Sequence, residues 1–128
     1  LIAASLIEKE TGIDSERNII SQVFNSRLKR KMRLQTDPSV IYGLGDFFDG
    51  NLRRSDLKLD TPYNTYTRHG LPPTPIALPG IASLRAAAQP SNSMYFYFVG
   101  RGDGTTHFSE THEEHRKAVR KYQLGGLQ

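Results

Sequence analysis

Leu1-Ile2-Ala3-Ala4-Ser5-Leu6-Ile7-Glu8-Lys9-Glu10-Thr11-Gly12 is the stretch around which the rest of this chain is arranged. Ile2, Ala3, Leu6 and Ile7 follow the spacing of one helical face. Glu10 lies one turn beyond Leu6 and Ile7 and continues that apolar face, whereas Glu8 follows Ala4 and Ser5 on a more polar side. Gly12 suits the position just past a helix end. An acid at the C-terminal end of a helix faces the negative pole of the helix dipole, and apolar neighbours deprive it of water. Both effects disfavour ionisation and raise the pKa, as a general acid near neutral pH requires. Most glutamates are simply solvated, and Glu8 remains a second choice for any such role.

Working outward, Asp14 and Ser15 are expected to cap a second helix over residues 16–31, with Ile19, Ile20, Val23, Phe24 and Leu28 as its apolar stripe. Its basic end, Arg27 to Lys31, complements the helix dipole; holding polymer carboxylates is the minority reading. Asp37 before Pro38 predicts an N-cap and a short helix through Tyr42 that stops at Gly43 or Gly45. Residues 46–59 read as loop with a helical turn after Ser55. Residues 60–67 alternate poorly and contain Pro62, which predicts extended surface chain. The Pro-rich run 70–80 carries Leu71, Ile76 and Leu78, which predicts an ordered loop on the core. An Ala-rich helix over Ile81 to Ala88 should end before Pro90. Residues 94–99 form the one strong strand, residues 100–104 a turn, and residues 105–108 the return strand. Thr111 and Glu114 predict a capping box for a last helix through Tyr122, ended by Gly125-Gly126. The fold class is therefore α+β, mostly helical with a small β-hairpin.

The 128 residues suffice for one domain with a real core. No stretch approaches the ~20 apolar residues of a membrane span. With no cysteine, disulfides, thiolate metal sites and cysteine nucleophiles are excluded. The net charge of +4 suits an anionic partner without demanding one. Because the chain begins inside a helix without Met, the expectation is a piece of a longer protein.

Other chemistries fit less well. The glycine-rich turn 100–104 lacks the Lys-Ser/Thr and helix of a phosphate loop. His107, His112 and His115 with Glu113 and Glu114 match no zinc-protease spacing, and no metal is expected. No GxSxG elbow marks a serine nucleophile. Basic residues and aromatics are present without a recognisable nucleic-acid motif, so no nucleic-acid partner is expected. Most glycosidases need two carboxylates at a set separation. A transglycosylase that uses the sugar's own hydroxyl as nucleophile manages with one.

The segments Ala4 to Thr11, Ser15-Glu16-Arg17, Val23 to Leu28, Met32 to Gly43, Tyr63-Asn64-Thr65-Tyr66, Gly70-Leu71-Pro72-Pro73, Pro79-Gly80, Tyr95 to Val99 and His107-Phe108 occur in order along the chain. Together they resemble the catalytic domain of the endolytic murein transglycosylases, the MltG or YceG-like family, over nearly the whole length. The resemblance implies a lysozyme-like domain, residues 1–128, belonging to a longer membrane-anchored protein whose anchor and LysM-like region are absent here. It implies non-hydrolytic cleavage between N-acetylmuramic acid and N-acetylglucosamine that leaves 1,6-anhydro ends, with no cofactor. The family's catalytic glutamate maps to Glu10, and Gln35, Asp37, Asn64, Tyr66 and His107 are candidates for holding sugars or polarising the N-acetyl group. Peptidoglycan strands are the implied partner, with peptidoglycan synthases as possible companions. The implied location is the bacterial inner membrane, with the domain on the periplasmic or extracytoplasmic side. Two departures are visible. The family's Asn-Arg-Leu has Ser26 at the Asn position in the simpler alignment, and Thr74 replaces a glycine in the Pro-rich loop. A non-catalytic wall-binding module of the same fold is the alternative.

Overall fold

The structure, a computed structural model, describes residues 1–124. Its elements are α1 (Ile2–Glu10), α2 (Asp14–Lys29), α3 (Asp37–Leu44), α4 (Arg54–Lys58), α5 (Ile81–Ala88), β1 (Tyr97–Gly100), β2 (Thr106–Ser109) and α6 (His112–Val119). A 3-10 turn (Gly45–Phe47) follows α3 and a π-helical turn (Arg120–Leu124) follows α6. The described part is α+β, with antiparallel β1 and β2 pairing Phe98 with Phe108 and Val99 with His107. The expected glycine stop at residues 125–126 lies outside the described residues.

α1 is the central element and touches α2, α3 and α5. Its apolar face is sealed: Ala4, Leu6 and Ile7 are fully buried, and Leu6 and Ile7 join Ile20, Phe24, Leu34, Ile76 and Ala86 in the core. Burying a side chain of that size contributes about 1.5–3 kcal/mol. Ser5, also buried, receives a hydrogen bond from the Ile76 N–H at 3.1 Å, which docks the Pro-rich loop on the helix. That loop is ordered as expected through Ile76, but Leu71 and Leu78 face solvent.

The turn from α1 into α2 is held by side chains. The Thr11 hydroxyl accepts from the Ile13 N–H at 3.0 Å and donates to Glu16 at 3.1 Å. Glu16, itself buried, also accepts from the Thr106 N–H and hydroxyl at 2.9 and 2.7 Å. One carboxylate thus pins the hairpin to the end of α1. Gly12 follows the Thr11 cap but lacks the left-handed backbone of a glycine stop. The caps expected for α2 shift for the same reason: Ile13 takes that place without a side-chain bond, and Asp14, inside the first turn, pairs with Arg17.

Three further expectations change. Thr36, not Asp37, occupies the N-cap of α3, and Asp37 stands in its first turn with its carboxylate turned to Tyr66. Residues 60–67 form successive turns rather than extended chain, because buried Asn64 folds them around itself. Its amide donates to the Leu57 and Leu59 carbonyls at 3.0 and 2.8 Å, and its oxygen accepts from the Tyr66 and Thr67 N–H groups at 2.8 and 3.2 Å. The strand starts at Tyr97 instead of Met94, because Gln22 of α2 takes both the Tyr95 carbonyl and N–H at 2.9 and 3.1 Å. By contrast, α5 has the expected bounds, and α3 ends at Gly45, whose φ of 56° few other residues adopt.

Gly43 lies where α3 crosses the 60s loop. A Cβ there would overlap Thr61 Oγ1 and come within 3.1 Å of Tyr63 Cβ. Ordinarily Gly→Ala inside a helix gains about 1 kcal/mol. Here overpacking prevails: Gly43→Ala is expected to lower stability by about 1–2 kcal/mol, and adding Thr61→Ala should restore part of it. Urea unfolding midpoints of the two variants check this.

Candidate active site

The end of α1 opens into a cavity of about 240 Å³ walled by Glu10, Gln35, Asp37, Tyr66, His115 and the β1 residues Phe98 to Gly100. A hollow of about 280 Å³ lies over the loop between Pro62 and Pro73, but no acid lines it. Of these two, the cavity at Glu10 is the one walled by carboxylic acids.

Glu10 is partly buried, and neither of its oxygens makes a hydrogen bond among the described residues. Oε2 in particular is shut off from solvent without a partner. Loss of water, and secondarily the negative charge of Asp37, push its pKa up to about 7. Glu8, two residues earlier, has the opposite surroundings. It accepts from the Gly80 N–H at 2.8 Å and the Ser83 hydroxyl at 2.9 Å, so it caps the start of α5. Those bonds hold its carboxyl below the usual range. Glu8 is a structural anion; Glu10 is the group able to carry a proton near neutrality.

Opposite Glu10, the Tyr66 hydroxyl donates to Asp37 Oδ1 at 2.6 Å. Burial, the bond to Asp37 and the nearby carboxylates raise the phenol well above its ordinary value, so Tyr66 is a fixed neutral donor. Gln35, next to them, has a φ of 53°, a left-handed backbone uncommon for a side-chain-bearing residue. Its N–H donates to the Thr65 carbonyl at 3.2 Å, and Thr36 N–H donates to Thr65 Oγ1 at 2.9 Å. The 60s loop and the start of α3 are thereby stitched together, and Gln35, Asp37 and Tyr66 reach one wall.

Of the six residues singled out from sequence, Glu10, Gln35, Asp37 and Tyr66 line this cavity, and Asn64 and His107 stand outside its walls. Asn64 is 1% exposed, with its amide engaged by backbone. His107 pairs with Val99 in the hairpin and packs at 5.6 Å from the Tyr122 ring. Sequence reasoning missed His115, weighed only as a metal ligand. Its ring stacks on Tyr97 at 5.0 Å, and its buried Nδ1 has no partner among the described residues. Burial, aided by Arg27 and the neighbouring histidines, lowers its pKa, which favours the neutral ring. A second carboxylate, Asp37, also shares the cavity, where the sequence suggested a lone acid.

A desolvated carboxylic acid facing a fixed phenol–carboxylate pair in an open cleft is an arrangement suited to general acid–base chemistry. Residues 1–121 match the model of the YceG-like family, and the chain belongs to that family. It is 47% identical over 122 residues to a Bacillus subtilis (strain 168) protein named endolytic murein transglycosylase, covering 95% of this chain and 34% of that one. A Streptococcus pneumoniae (strain D39) protein of the same name is 31% identical over 127 residues, covering 95% and 23%. The crystal structure of a yceG-like protein from Listeria monocytogenes superposes with a TM-score of 0.82 at 45% identity, over 91% of this chain and 37% of that one. The chain thus spans about a third of the first of these relatives and of the solved structure.

Two consequences are measurable. Between pH 4.5 and about 7 the folded chain keeps a proton on Glu10 that the unfolded chain releases. Glu10 therefore lowers stability as pH rises through that window, by at most about 3 kcal/mol. Glu10→Gln should unfold at a higher temperature than the parent at about pH 8 and at a similar one at about pH 4. Asn64→Ala, which orphans buried backbone groups, should cost about 2–4 kcal/mol in denaturant unfolding.

Proposed function

We propose that this chain is the catalytic domain of an endolytic murein transglycosylase. The single observation that carries the reading is the carboxyl of Glu10, short of water and of hydrogen bonds, opening into a cleft. The family and the names of the relatives support the substrate class. Glu10, protonated near neutral pH, gives its proton to the glycosidic oxygen between N-acetylmuramic acid and N-acetylglucosamine. The resulting carboxylate then takes the proton of the muramoyl 6-hydroxyl as that oxygen attacks C1. The products are a free 4-hydroxyl on N-acetylglucosamine and a 1,6-anhydro-muramoyl end, and Glu10 is protonated again. Tyr66, oriented by Asp37, and Gln35 hold the sugar and its N-acetyl group. In the cell, the domain would work on the extracytoplasmic side of the bacterial inner membrane, tethered by a segment outside this chain and accompanying peptidoglycan synthases.

Asp37 supports a second reading. Two carboxylates across a glycosidic bond are the usual equipment of a hydrolase, and Asp37 is near enough to Glu10 to raise its pKa. Its engagement by Tyr66 favours the first reading, since a nucleophile is better left free.

Digestion of uncrosslinked glycan strands with mass spectrometry of the ends separates these readings. Anhydro ends are expected; reducing ends mean hydrolysis at Asp37, and strand binding with no cleavage that survives Glu10→Gln means a wall-binding module. Glu10→Gln should cut the rate by about 10²–10⁴, whereas Glu8→Gln should retain most of it. The rate should fall as pH rises above about 7, where Glu10 loses its proton.

A further inference from the structure

Beside the Glu10 cavity lies a second hollow, of about 360 Å³, whose walls include Arg27, Lys31, Arg33, His69 and His112. Gln35 lines both spaces. They also meet across the stack of Tyr97 on His115, since Tyr97 borders the hollow and His115 the cavity. Among the described residues, no carboxylate lines the hollow.

Arg27 stands out among these cations by its burial. Arg17, Arg53, Arg68 and Lys117 each pair with an acid. Arg27 is 7% exposed and has no carboxylate within 4.0 Å among the described residues. Its guanidinium instead donates to the Phe96 and Arg33 carbonyls, both at 2.7 Å, and lies 5.1 Å from the centre of the Tyr97 ring. A charge this poorly solvated and without a counter-ion is costly. The segment that carries Lys31 and Arg33 is bracketed by the two left-handed non-glycine residues of the described chain, Lys31 at φ 57° and Gln35 at φ 53°. At Lys31 this backbone is the stop of α2, closed by Lys31 N–H on the Leu28 carbonyl at 3.2 Å and Met32 N–H on the Arg27 carbonyl at 2.8 Å, and it turns the chain so that Arg33 follows Lys31 along the hollow.

We propose that this hollow is an anion subsite that takes the carboxylates of the peptide stem on the muramoyl residue. The proposal rests on the murein reading above. In murein the lactyl carboxyl of each muramoyl residue is tied up as an amide with the peptide, so along a peptide-bearing strand the free carboxylates belong to the stem. A strand lying across Glu10 presents that stem beside the reacting sugars. The hollow adjoining the cleft matches it in charge, and a stem carboxylate supplies the counter-ion that the protein withholds from Arg27. The domain therefore prefers peptide-bearing strands to strands stripped of peptide by an amidase and capped at the freed lactyl carboxylate as methylamides, which carry no anion.

The test compares both strand types, uncrosslinked and of matched length, with the parent chain and with Lys31→Gln/Arg33→Gln. Both of these residues are exposed and clear of the core. Cleavage gives kcat/KM for each substrate, and calorimetry with a disaccharide-peptide and the disaccharide lactyl methylamide gives binding without catalysis. The parent should favour peptide-bearing strands, and the double variant should lower that ratio about five- to tenfold, with the preference shrinking as salt rises. Cleavage of both strand types at the same kcat/KM by the parent, or an equal loss on both in the variant, overturns the subsite and leaves the transglycosylase reading standing. Peptide-dependent binding that the variant loses, with no cleavage of either strand, keeps the subsite and overturns the catalytic reading. Tight binding of glycerol phosphate polymer in place of the disaccharide-peptide assigns the hollow to phosphate and overturns the stem assignment.

Discussion

Burial of α1 is the constraint from which the site follows. Leu6 and Ile7 are fully enclosed, and helical geometry then carries Glu10 onto the same face at the edge of the core. The helix ends there because Thr11 and Glu16 tie its last turn to the start of α2 and to the hairpin. Glu10 is consequently the last residue of a rigid element, held where water is scarce and no donor compensates it. Glu8 is rotated to the other side and meets the N-terminus of α5. Two glutamates two residues apart thus have pKa values pushed in opposite directions by surroundings alone. Environment, more than residue type, assigns the acid.

The opposite wall depends on a different device. The 60s loop has no regular structure, and it is Asn64 that gives it shape by serving four backbone groups. Thr65 then clamps the backbone of Gln35 and Thr36, and Tyr66 reaches Asp37. A residue expected to touch sugar instead fixes the loop that carries Tyr66 to the cavity wall. Gly43 adds the close approach of α3 to the same loop. Two loops whose own sequences specify little order are made rigid by each other.

Local periodicity and punctuation made α1, α5, the hairpin turn, a glycine stop at Gly43 or Gly45 and the place of Glu10 on the apolar face of α1 legible. What stayed hidden depends on partners far along the chain. Asp37 reads as a cap until Tyr66, 29 residues on, takes its carboxylate. Arg27 reads as one of several basic residues closing a helix until Phe96, 69 residues on, draws it inward. The strand shortens because Gln22, 73 residues back, satisfies Tyr95. His115 has no local signal beyond its spacing from His112, which suggested a metal before the stack on Tyr97 was visible. His107 pairs with Val99 in the hairpin and packs on Tyr122, 15 residues on, a contact no local pattern announces.

All the chemistry assigned to the cleft assumes that Glu10 holds its proton near neutral pH. Carbon-13 NMR titration of its side-chain carboxyl, assigned by comparison with Glu10→Gln, reads that directly. A midpoint near 7, well above that of Glu8, is the expected result. A midpoint near the ordinary 4.5 would contradict a desolvated general acid at the end of α1.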